Sequence, residues 1–142
     1  MTPADAREAL LFHSCTHPNV DDPRWKTGFV GSLRPFTGLR EDNYHEVMAA
    51  LRALAEPLQA DLVPREVVSA VVGMCHFARA WGVAPDGMLG RNGLISAADA
   101  ARLDEWIWTI SYALAMILDG AVSEAFDEYD RRAATLDGRG GG

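Results

Sequence analysis

The chain has 142 residues, 49% of them hydrophobic and 23% charged, with a net charge of −7. That length fits one domain with a core of its own, and the balance is that of a folded chain rather than a disordered one. The acidic excess argues against a partner rich in phosphate, whether duplex nucleic acid or an anionic membrane surface, because both require a basic face.

The first predicted helix opens at "TPADAREALLF", where Thr2 caps, Pro3 takes the first helical position and Asp5 lies in the positive first turn. It should end near His13 or Ser14. The second runs from about Asp42, with Tyr44, Val47, Met48, Leu51, Leu54, Ala55 and Leu58 at steps of three and four, until Pro57 interrupts it. The third spans "VPREVVSAVVGMCHFARAWG", with Pro64 in its first turn and Gly82 as a left-handed residue after its last. Its apolar positions nearly encircle it, so it is expected at the centre.

The fourth starts at "SAAD", where Ser96 caps and Asp99 follows three residues later. Its apolar phase runs through Leu103, Ile107, Ile110, Leu114 and Ile117, and continues past Gly120 to Ala121, Ala125 and Tyr129. An unbroken helix from Ala97 to Arg132 would reach about 50 Å, too long for a compact domain of this size, so a break near Asp119 or a protruding end that pairs with another subunit is expected. The tail "LDGRGGG" carries no core-forming pattern.

These elements predict an all-α fold, an antiparallel four- or five-helix bundle with two long Gly/Pro-rich loops at one end. Residues 1–134 form the single domain and residues 135–142 a disordered Gly-rich tail. The first long connection is "CTHPNVDDPRWKTGFVGSLRPFTGLRE", where a short hairpin around Phe29 and Leu33 could order part of the chain; the second is "GVAPDGMLGRNGLI". Long loops in compact domains tend to carry function. In an up-down-up-down bundle both would lie at the same pole.

That pole gathers the reactive residue types. "FHSCTHPN" places His13, Cys15 and His17 at alternate positions, and Cys75 and His76 lie toward the end of the third helix. Together they supply enough thiolate and imidazole for a zinc site, although the spacing matches no recurrent zinc pattern. Cys15 with His13 or His17 and Asp21 or Asp22 has the residue types of a nucleophile, base and orienting acid, but nothing marks an oxyanion hole. Cys75 reads more simply as a small core hydrophobe and His17 as a loop residue. His45, preceded by Glu41 and Asp42, resembles half of a carboxylate-histidine iron motif whose other half is absent, and reads as a surface helix start.

Lys26, Arg34, Arg40 and Arg91 supply local positive charge at the same pole, where they could hold a small anionic, nucleotide-like ligand. "GFVGSLRPFTG" nevertheless matches neither the dinucleotide nor the phosphate-loop pattern. The loop aromatics Trp25, Phe29 and Phe36 are expected to pin the loop onto the helices. Trp106, Trp108 and Tyr112 make the fourth helix apolar on more than one side, which predicts a homo-oligomer contact there. The acidic run "SEAFDEYDRR" reads as a solvated face in which Glu124, Asp127 and Glu128 could receive a basic partner.

With two cysteines, no basic n-region at "MTPADAREAL" and no apolar run of roughly 18 residues, the expectation is a cytoplasmic chain that does not span a membrane. The leading functional expectation is a binding or regulatory protein without a cofactor. A zinc hydrolase or metal or redox sensor stands second, and the binder of an anionic ligand third.

Overall fold

The computed structural model describes residues 1–140, with side-chain surroundings through Asp137. It is all-helical, with 69% of residues in helices and no strand among the described residues. The elements are α1 (Pro3–His13), α2 (Arg24–Thr27), α3 (Glu41–Ala53), α4 (Arg65–Ala78), α5 (Met88–Arg91), α6 (Ala97–Leu118) and α7 (Val122–Gly140).

Side-chain caps set the starts of α1 and α6. At α1 the Thr2 hydroxyl accepts the Asp5 N–H at 3.1 Å, while the Asp5 carboxylate accepts the Thr2 N–H at 3.4 Å, a complete capping box. At α6 the Ser96 hydroxyl accepts the Asp99 N–H at 3.1 Å. α6 stops at Leu118, Gly120 takes φ +82°, and α7 starts two residues later. The break expected near Asp119 is therefore present, and glycine makes it because only glycine enters that region without strain.

Three local expectations are corrected. α3 ends at Ala53, before Pro57, and a 3-10 turn over Pro57–Gln59 carries Leu58 into the core. Gly82 is not a left-handed cap: it lies buried in a π-helical turn, Arg79–Val83, that extends α4. A Cβ at Gly82 would stand 2.5 Å from Leu103 Cδ2, so glycine is there for close packing. No hairpin forms around Phe29 and Leu33, where α2 and a 3-10 turn over Gly31–Leu33 fold instead. α7 runs to Gly140, and residues 141 and 142 lie outside the described residues.

α1 packs on α3 and α4, α4 on α6, and α6 on both α3 and α7. Leu10, Val47, Met48, Leu51, Val71, Met74, Ile107 and Ile110 meet in one core and are fully shielded from solvent. By length and composition alone, Arg65–Arg91 would suffice to cross a membrane, which the sequence reading did not single out. Here its buried face, with Val67, Val71 and Met74, belongs to that core, and a central helix of a folded domain meets the same compositional criterion.

Candidate functional site

The histidines of "FHSCTHPN" are engaged in holding the first long loop. His13 is 4% exposed; its Nδ1 accepts the Phe29 backbone N–H at 3.0 Å, and its Nε2 lies 3.2 Å from Glu46 Oε1. Since Nδ1 must accept, the proton sits on Nε2 and is donated to the carboxylate. This bond holds the Glu46 carboxyl below its ordinary range. The His13 carbonyl also accepts the Val30 N–H at 2.9 Å, so one residue fixes the loop through both ring and backbone. His17 stacks on Phe12 with ring centroids 3.8 Å apart, and its Nδ1 accepts the Asn19 N–H at 3.0 Å.

Cys15 takes a left-handed backbone, φ +59°, and its thiol points at the Trp25 carbonyl at 3.5 Å. Burial pushes that thiol up, the wrong direction for a nucleophile. The Cys75 thiol faces the Ile107 carbonyl on α6 and is pushed up to about 11 by burial. His76, one residue on, is exposed beside Phe77. No three His, Cys, Asp or Glu side chains among the described residues stand close enough to share a metal ion, so the five sequence candidates do not assemble.

The four loop cations stand on or beside different elements. Arg34 lies over the Trp81 ring at 5.5 Å, Lys26 is on α2, Arg91 ends α5, and Arg40 flanks an open cleft with Thr27 and Asn43. Phe29 and Phe36 meet the expectation for the loop aromatics, Phe29 packing edge-on against Trp106 of α6 and Phe36 against the core, whereas Trp25 Nε1 donates to the His17 carbonyl at 2.8 Å within the loop itself.

Two concave regions are lined by α6 and α7 together. The inner one lies between the start of α3 and the facing halves of α6 and α7. There His45 Nδ1 is hydrogen-bonded to Tyr129 Oη at 2.6 Å, Tyr44 stacks on Trp106 at 5.3 Å, and Arg102 lies over Trp106 at 5.1 Å. Burial pushes both Tyr44 and Tyr129 up, so both phenols stay protonated at neutral pH. Sequence reading passed over His45 as a surface helix start, and nothing in the sequence links it to a tyrosine 84 residues later.

The outer region is an open groove of about 390 Å³ between α6 and α7. Trp108, 55% exposed, and Tyr112 stack at 5.1 Å with their rings 6° from parallel, and form the α6 wall. Glu124, Asp127 and Glu128 form the α7 wall, with Arg131 and Arg132. Glu128 is taken by both arginines, at 2.7 and 3.0 Å. Trp106, by contrast, is only 7% exposed and faces the core, so of the three aromatics expected at a contact surface it is not available.

No family model, curated protein or solved structure matches the chain. The arrangement of its own residues carries the functional reading. Both groove walls were visible in the sequence as separate features; their juxtaposition depends on the turn at Gly120, which folds α7 back along α6.

Proposed function

We propose that this chain is a small binding or regulatory protein that acts by contact rather than by turnover, and that the outer α6/α7 groove is its contact surface. One observation carries the reading: an indole and a phenol are stacked on each other at the protein surface, with Trp108 more than half exposed. Preformed, flat aromatic surface of this kind is what interface anchors provide, since it buries a large area at little cost in side-chain entropy. The two free thiols fit a cytoplasmic setting for such a protein.

The test is quantitative co-purification from the cells that make the protein, comparing the full chain with Trp108→Ser at matched near-ultraviolet circular dichroism. A protein held in defined ratio by the wild type and lost from the variant supports the reading. Equal retention of every co-purifying protein by both overturns it.

A second reading, self-association, is favoured by Val72 and Phe77, exposed on α4 beside α6. Sedimentation velocity would show an oligomer that Val72→Glu and Phe77→Glu dissociate.

A further inference from the structure

We infer that the occupant of the outer groove is an arginine-bearing, basic segment of a partner protein. The inference rests on the binding reading above and adds the chemistry of the partner. It begins with the arginines this protein already lays over its rings, even where the ring itself is mostly buried, as at Phe12, Phe126 and Trp106. Arg24 lies over Phe12 at 4.1 Å, Arg52 over Phe126 at 4.3 Å, Arg102 over Trp106 at 5.1 Å and Arg34 over Trp81 at 5.5 Å. Among the described residues, no such cation covers Trp108 or Tyr112, although their stack offers indole, the aromatic face that attracts cations best.

The opposite wall supplies the complementary charge. Glu128 is saturated by Arg131 and Arg132, but among the described residues neither Glu124 nor Asp127 has a cationic partner within 4.0 Å. They stand three residues apart on α7, hence side by side on the wall that faces the aromatic stack. A guanidinium is planar, so it can extend the Trp108–Tyr112 stack while a neighbouring cation of the same segment reaches the carboxylates. The net charge of −7 would speed the encounter with a basic chain. A second copy is the poorer occupant, because an acidic wall would have to approach an acidic molecule.

The experiment is a heteronuclear NMR titration of the full chain with a capped peptide carrying three arginines separated by glycine and serine. The same peptide with lysines and the same with glutamates serve as comparisons. The Trp108 indole N–H, assigned by its loss in Trp108→Leu, should shift with the arginine peptide, along with the amides of Glu124 and Asp127. Trp108→Leu, and separately the Glu124→Gln/Asp127→Asn double variant, should each weaken binding about fivefold, the scale of one cation–π or charge contact. The lysine peptide should bind more weakly than the arginine peptide, and the glutamate peptide should leave the groove signals in place.

Binding that neither variant weakens, or shifts spread over the acidic surface away from the groove, would overturn the inference. The co-purification result separates the two claims. If Trp108→Ser loses its partner while the arginine peptide fails to bind, the contact surface stands and the basic segment falls. If neither responds to Trp108, both fall.

Discussion

His13 and Phe29, sixteen residues apart, are joined by a hydrogen bond from the Phe29 backbone N–H to the His13 ring at 3.0 Å. Both residues are buried, so this N–H has no access to water if the ring is removed. His13→Ala should cost about 1–3 kcal/mol, the penalty for a buried donor left without a partner. Urea denaturation measures the loss, and hydrogen exchange should rise selectively at Phe29 and Val30.

The other side of the same imidazole sets a pH dependence. The hydrogen bond from His13 holds the folded-state Glu46 carboxyl below its ordinary range. A depressed carboxyl contributes stability that is complete above the unfolded value, about 4.3, and is lost as pH falls through the folded one. Stability measured by urea titration at a series of pH values should therefore decline on acidification below about 4.5. Glu46→Gln should flatten that part of the curve.

Trp106 and Trp108, two residues apart on α6, should respond in opposite ways. Trp106 packs against Tyr44 and Phe29 in the core, so Trp106→Ala should cost about 3–5 kcal/mol. Trp108→Ala removes an exposed ring and should change stability by no more than about 0.5 kcal/mol, while binding is affected. Thermal unfolding of the two variants side by side gives the comparison.

Glycines divide in the same manner. A Cβ at Gly31 would meet the Trp25 backbone oxygen at 2.1 Å, and backbone cannot give way as a side-chain tip can. Gly31→Ala should therefore be strongly destabilising. Gly73 lies within α4 with nothing within 4 Å of an added Cβ, so Gly73→Ala should stabilise by about 0.5–1 kcal/mol.

Thiol and metal chemistry give a further expected outcome. Burial pushes both thiols up, Cys75 to about 11, so at pH 8 both should react slowly with a disulfide reagent, Cys75 only on unfolding. Dialysis against a chelator should leave the unfolding midpoint unmoved, since both His13 nitrogens are engaged by protein groups. A drop in the midpoint that zinc restores would show that the histidine cluster holds metal.

The starts of α1 and α6 and the α6/α7 break were legible because each is decided within a few residues: Thr2 with Asp5, Ser96 with Asp99, Gly120 alone. The long loop was not, because His13, Asn43 and the Thr27 carbonyl organise it through contacts that span many residues. "FHSCTH" drew attention through residue types common to metal sites and to buried hydrogen-bonding roles alike, and only geometry separates these. Trp106 and Trp108 look equivalent in the sequence, yet their positions on the helix send one inward and the other outward.

α7 meets the rest of the molecule beyond a single glycine joint, and among its described residues only Ala125 and Phe126 are buried. Elements with few buried residues open locally at a lower free-energy cost than the core. The two walls of the groove then have different lifetimes. The aromatic wall stands on a core helix and persists, whereas the carboxylate wall is withdrawn each time α7 peels away, so a partner gripping both walls would be clasped and released on the timescale of that peeling.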